Sequence, residues 1–216
     1  MNVTSAKIIR WAGLPAIIAG ILYMATQFVH PANEAASVTT DAWAAAHYMT
    51  LGFGVLGLLG FTGIYARQIK EAGLLGFVGF VTFFLALVLV SFFAFFEAFV
   101  VPAVVGEAPQ FVDDVYAIFD GGAGPGHIGT IYNLNGFLYL AGGVLFGIAT
   151  IRANVLPRWA GIVFTVGTVA SLSAALSDTL GRASTFVLAA GLVWMGIALW
   201  SERPAQVAAR AEAVAA

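Results

Sequence analysis

Charged residues are rare in this chain, and the distances between them constrain its fold more than anything else. Arg10 to Glu34 encloses 23 uncharged residues, Asp41 to Arg67 encloses 25, and Glu71 to Glu97 another 25. Asp120 to Arg152 encloses 31; Arg158 to Asp178 and Arg182 to Glu202 enclose 19 each. A helix needs about 20 apolar residues to cross a bilayer. The runs show no alternation of period two, so they predict helices and not strands. We read an all-α, polytopic integral membrane protein. Its single domain covers 1–201, with six transmembrane helices near 10–30, 42–66, 73–101, 127–151, 158–178 and 183–201. Residues 102–126 form an outer loop, and 202–216 an Ala-rich cytoplasmic tail.

Composition narrows the function classes. Hydrophobic residues make up 61% of the chain and charged ones 9%, against about a quarter charged in soluble domains. That excludes an ordinary soluble enzyme and a disordered chain. A net charge of −2 leaves no basic surface for nucleic acid. With no cysteine there are no disulfides, thiolate metal sites or iron–sulfur clusters.

Basic residues set the expected orientation. With the N-terminus inside, Lys7, Arg10, Arg67, Lys70, Arg152, Arg158, Arg203 and Arg210 are cytoplasmic, and only Arg182 is outside. Both ends are then cytoplasmic. Trp11, Trp159 and Trp200 read as anchors at the inner interface and Trp43 at the outer one. The first apolar run is about twice the usual length of a signal-peptide core, so it reads as a retained helix.

In the outer loop, Phe111, Val112, Val115, Tyr116, Ile118 and Phe119 recur at helical spacing. They predict a short amphipathic helix on the membrane surface, serving as a flap over an outer pocket or as a plain connector. Gly121-Gly122-Ala123-Gly124-Pro125-Gly126 breaks it. Gly54, Gly57, Gly60 and Gly63 line helix 2, and Gly143 and Gly147 helix 4, as close helix packing requires. Helix 3 holds nine of the eighteen phenylalanines, which suggests contact with lipid or with another subunit.

A weak internal repeat is visible. Arg10-Trp11-Ala12-Gly13 opens helix 1 and Arg158-Trp159-Ala160-Gly161 opens helix 5. The even helices end alike, in Gly63-Ile64-Tyr65-Ala66-Arg67, Gly147-Ile148-Ala149-Thr150-Ile151-Arg152 and Gly196-Ile197-Ala198-Leu199-Trp200. Three in–out–in helical hairpins account for both observations.

The residues able to carry chemistry gather at the outer side. His30 ends helix 1, His47 starts helix 2, Glu97 lies near the outer end of helix 3, His127 starts helix 4 and Asp178 ends helix 5. At 1.5 Å per residue, His30 stands roughly 25 Å above Gly13, and His47 roughly 30 Å above Arg67. Glu97 lies among Phe93, Phe95, Phe96 and Phe99, so its carboxylate is paired or has a raised pKa. Single polar faces continue inward: Tyr23 and Gln27 in helix 1; Tyr132, Asn135 and Tyr139 in helix 4; Thr168 and Ser171 in helix 5. Polar faces in lipid turn to the interior or to water. The expectation is an outward-facing polar cavity ringed by His30, His47, Glu97, His127 and Asp178. Each of these residues taken singly also has a structural reading, such as a helix end or an Asp178–Arg182 pair one turn apart.

Three function classes follow. Imidazoles and carboxylates suit a divalent transition metal or a small ligand. Two histidines, His47 and His127 among them, could ligate haem b for electron transfer. The third class is a small-solute transporter or a non-enzymatic accessory subunit, working in the lipid bilayer as a homo-oligomer or within a larger membrane complex. The enzyme question stays open at this level.

The segments Gly63-Ile64-Tyr65-Ala66-Arg67-Gln68 and Glu71-Ala72-Gly73-Leu74-Leu75-Gly76-Phe77 resemble a group of uncharacterised bacterial six-helix membrane proteins. His30-Pro31, Glu97 with Pro102, and Leu156-Pro157-Arg158-Trp159-Ala160-Gly161 extend the likeness over most of the chain. The resemblance implies a bacterial inner-membrane location and carries no activity.

Overall fold

The computed structural model describes residues 4–202. Among these there are helices and turns but no strand. The helices are α1 (Ser5–Trp11), α2 (Gly13–Val29), α3 (Asp41–Phe95), α4 (Val101–Val104), α5 (Pro109–Tyr116), α6 (Ile128–Ala153), α7 (Arg158–Ala170) and α8 (Asp178–Ser201). Five helical stretches are long and apolar enough to cross a membrane: Ser5–Val29, Asp41–Val104, Ile128–Ala153, Arg158–Ala175 and Thr179–Ser201.

The second stretch runs for 64 residues. At 1.5 Å per residue it would extend about 95 Å if straight, some three bilayer cores. It is not straight. Gln68 and Gly73 leave helical geometry, and Gly73 takes φ +58° with ψ −159°, a combination open essentially to glycine alone. The two arms fold back on each other, bringing Phe61 against Phe83 with ring centroids 4.8 Å apart, and Tyr65 against Phe80 at 4.3 Å.

The helices close into a ring. α2 packs on the first arm of α3, the second arm on α6, α6 on α7, α7 on α8, and α8 back on α2. Glycines permit the close crossings. A Cβ on Gly60 would lie 2.5 Å from the Ala16 backbone nitrogen, and one on Gly13 would lie 2.6 Å from the Gly196 carbonyl oxygen. Inside the ring four buried phenylalanines, Phe61, Phe83, Phe146 and Phe164, meet from four different segments. The aromatic surface expected of residues 73–101 divides in two. Phe83 is core, while Phe77, Phe92, Phe95 and Phe99 are exposed.

Several boundaries differ from the sequence reading. The fifth helix passes into a 3-10 turn at Ser171–Ala175, and the last helix already begins at Asp178. Asp178 therefore heads α8 and does not end the preceding helix, because Ser177 is extended and acts as its N-cap. Trp43 is fully buried and is no interfacial anchor; Trp11 and Trp159 do lie on the exterior. In the loop over 102–126, α5 and a 3-10 turn at Ala117–Asp120 form where helical spacing pointed. Val112, Val115 and Tyr116 bury themselves against Val38, Trp43 and Val101. The amphipathic segment thus covers the end of the bundle instead of lying apart on a membrane surface.

Candidate functional site

Proline chemistry prepares the centre of the site. Residues Phe96–Val100 form a π-helical turn, in which the Val101 N–H donates to the Phe96 carbonyl five residues back. The next donor in that register, for the Glu97 carbonyl, is residue 102. It is proline and has no N–H. Glu97 is left with a carbonyl its own helix cannot satisfy, and the Trp43 indole N–H donates to it at 2.8 Å. A buried carbonyl without a donor would be costly, so Trp43 locks the second arm of α3 to the first at this depth.

His47 lies one turn after Trp43 on the same face. Its Nδ1 is 2.8 Å from the Trp43 carbonyl oxygen. A carbonyl only accepts, so the proton sits on Nδ1 and Nε2 points away. Nε2 lies 3.2 Å from Glu97 Oε2. Tyr132 donates its hydroxyl to Glu97 Oε1 at 2.7 Å and stacks on Phe93 at 3.8 Å. His47 is 2% exposed and Glu97 9%. One proton therefore bridges Nε2 and Oε2, giving either an ion pair or two neutral partners. Losing it would set a carboxylate against a lone pair.

His30 extends the cluster. It caps α2, its Nδ1 donates to the Pro31 carbonyl at 2.8 Å, and its ring centroid is 5.1 Å from that of His47. Burial, more than any charge, holds its pKa below the ordinary 6.5; His47 and Arg182 push the same way, against the Pro31 carbonyl and Glu97. Tyr116 of α5 closes the top, edge-on to Trp43 at 5.3 Å. Its buried hydroxyl has no hydrogen-bond partner among the described residues. Burial, then the Glu97 charge, drives its pKa far up.

His30 also borders a polar cavity of about 410 Å³ at this end of the bundle. Tyr23, Gln27 and Ser171 line it as expected; Thr26, Thr50 and Arg182 join them. The other candidates go elsewhere. Tyr132 belongs to the Glu97 cluster and borders an apolar groove of about 290 Å³. Tyr139 donates to the Tyr23 hydroxyl at 3.4 Å. Thr168 is buried and bonds back to the Phe164 carbonyl. Asn135 keeps a buried side-chain oxygen without a partner among the described residues.

Among the described residues, His30, His47, Glu97 and His127 do not gather into a metal-holding group, and no other group of three or more His, Asp or Glu side chains is placed to hold a metal ion. His127 is exposed, one residue before α6, and the side chain of Asp178 lies outside the described residues. Both ring nitrogens of His47 are engaged. His30 and His47 stand too close for an iron and its porphyrin plane between them. Sequence reasoning missed Arg182 and the role of Trp43. The signals were present: Trp43 and His47 at i, i+4, and Glu97 five residues before Pro102.

The chain matches no protein-family model, no curated protein and no solved structure.

Proposed function

We propose that this chain is an integral membrane protein of the bacterial inner membrane, with a polar cavity that opens outward and takes a small ligand. The observation that carries the reading is the cavity itself. Hydroxyl, amide, imidazole and guanidinium groups collect at one end of a bundle whose outer faces are apolar. Such groups are expensive in lipid and mark ligand or ion pathways when they converge. Counting the two arms of α3 separately gives six spans. The basic residues then put both termini, and the Gln68–Gly73 bend, on the cytoplasmic side. Pairing α2 with the first arm, the second arm with α6, and α7 with α8 gives three in–out–in hairpins. The Arg-Trp-Ala-Gly motif that runs into α2 and opens α7 supports this repeat. A small ligand is favoured over a metal or haem because His47 is already satisfied and His127 stands apart.

Single cysteines test the reading without background, since the chain has none. Asn33→Cys and Gln110→Cys should react with a membrane-impermeant thiol reagent in intact cells. Ile69→Cys and Val155→Cys should react only after permeabilisation. Labelling of the second pair in intact cells would overturn the orientation, and with it an outward-opening cavity.

A further inference from the structure

The serine and threonine hydroxyls around the cavity have spent their protons. Thr26 Oγ1 donates to the Leu22 carbonyl at 3.0 Å and Thr50 Oγ1 to the Ala46 carbonyl at 2.9 Å. Ser171 Oγ donates to the Thr168 carbonyl at 2.7 Å, and Ser184 Oγ to the Gly181 carbonyl at 2.6 Å. Thr185 Oγ1 also donates to Gly181, at 3.3 Å. Each is a back-bond to the preceding turn of its own helix. A hydroxyl that has donated its one proton presents only lone pairs. His30 does the same, because Pro31 holds the proton on Nδ1 and leaves Nε2 as an acceptor in the neutral ring. The serine, threonine and His30 part of the wall therefore accepts hydrogen bonds, while the Tyr23 hydroxyl, which accepts from Tyr139, keeps its own proton.

The opposite chemistry is concentrated in Arg182. Nη1 donates to the Gln27 carbonyl at 3.0 Å and Nη2 to the His30 carbonyl at 3.3 Å. Those two bonds take two of five guanidinium N–H groups and fix the fork across the C-terminal end of α2. Three N–H groups remain, enough for a bidentate oxyanion. Among the described residues no carboxylate lines the cavity.

From this pattern we propose that the cavity takes a small carboxylate that also carries hydrogen-bond donors, a hydroxy acid or an amino acid. Its carboxylate lies on Arg182, and its hydroxyl or ammonium groups face the Ser and Thr lone pairs. The inference rests on the cavity being open to solvent. A plain fatty carboxylate would leave the acceptor wall unpaired, and a neutral polyol would leave the guanidinium unpaired. Either mismatch forfeits affinity.

Four six-carbon probes separate these features: gluconate (carboxylate and hydroxyls), norleucine (carboxylate and ammonium), hexanoate (carboxylate alone) and sorbitol (hydroxyls alone). The readout is the melting temperature of the purified protein in detergent. Gluconate or norleucine should raise it by on the order of 5 °C at saturation, and hexanoate and sorbitol clearly less. Which of the two wins tells hydroxy acid from amino acid. Arg182→Gln should weaken the effective probe roughly 10-fold or more, while Arg182→Lys retains part of the effect. Thr50→Val, which removes one acceptor and little else, should weaken the effective probe and leave hexanoate unchanged. Hexanoate or sorbitol matching the better probe would overturn the proposal. So would an Arg182→Gln protein that melts normally and binds as wild type, or the absence of stabilisation by all four probes. A cysteine at Ala174, on the cavity wall, keeps the two claims apart. If it reacts with the impermeant reagent but no probe binds, the ligand class is wrong; if it does not react, the open cavity is wrong.

Discussion

Two pairings of a basic side chain with a carboxylate sit at opposite ends of this bundle, and they differ in burial and in the base. At one end Arg67 Nε lies 2.8 Å from both carboxylate oxygens of Glu202, tying the first arm of α3 to the end of α8. Nearby, Arg10 donates to the Trp200 carbonyl at 2.9 Å. Arginine keeps its charge at any physiological pH. Part of each Arg67 and Glu202 side chain reaches the surface. That end is a clamp. At the other end His47 and Glu97 are buried, share one proton, and touch His30, which borders the cavity. The same pairing of a basic group with a carboxylate is thus a partly exposed tie in one place and a buried contact beside the cavity in the other. The difference comes from burial and from the identity of the base.

The comparison breaks most visibly at Glu97. Glu97→Ala removes the partner of a buried imidazole and of the Tyr132 hydroxyl, at a cost of about 3–5 kcal/mol, seen as a large fall in melting temperature. Glu97→Gln should keep most of that stability. Its carboxamide N–H can donate to His47 Nε2 and its oxygen can accept from Tyr132. If Gln proves as damaging as Ala, the assignment of the His47 proton to Nδ1 is wrong. Next in size is Tyr132→Phe. It removes one hydrogen bond to the carboxylate at about 1.5–3 kcal/mol. Arg67→Ala, at the clamp, should cost only about 1 kcal/mol, less in high salt. A loss there as large as at Glu97 would erase the distinction between the two ends.

The smallest effect is in pH. His30 has a lowered folded-state pKa, so the unfolded chain binds its proton more readily. Stability from this residue is therefore full above 6.5, starts to fall as the pH drops below 6.5, and levels off below the depressed folded value. His47, Glu97 and Arg182 are the charged or titratable neighbours that act on it. His30→Asn, whose amide can still donate to Pro31, should show a shallower decline in melting temperature between pH 7.5 and 5. An unchanged decline would mean that other groups set the acid sensitivity.

The helices were legible in the sequence because apolar run length reports directly on helix length. Depth was legible too: His30, His47 and Glu97 do meet at one level. Angular position was not. His127 precedes its helix at the end of the Gly-rich connection and is exposed. Run lengths carry no information on rotation about a helix axis. Trp43 read as an interface anchor because tryptophan usually is one near a helix end. Its burial follows from the carbonyl orphaned by Pro102, a consequence of the π turn that simple span counting overlooks. In the sequence, Arg182 stands out only as the one basic residue expected on the outer side, with Asp178 one turn away as a structural partner. Only the fold brings the end of α2 beneath its guanidinium.

The central claim is that the space beside His30 holds water and polar solute, not lipid. The most direct measurement compares single cysteines at Ala174, on the cavity wall, and at Val166, exposed on the apolar outer face of α7. Reaction rates with a charged, impermeant thiol reagent are measured in intact cells. The account predicts that Ala174→Cys reacts at a rate close to that of Asn33→Cys in the neighbouring loop, and that Val166→Cys does not react. Equal inertness of Ala174→Cys and Val166→Cys would contradict it, because the cavity wall would then face lipid or lie closed within the protein.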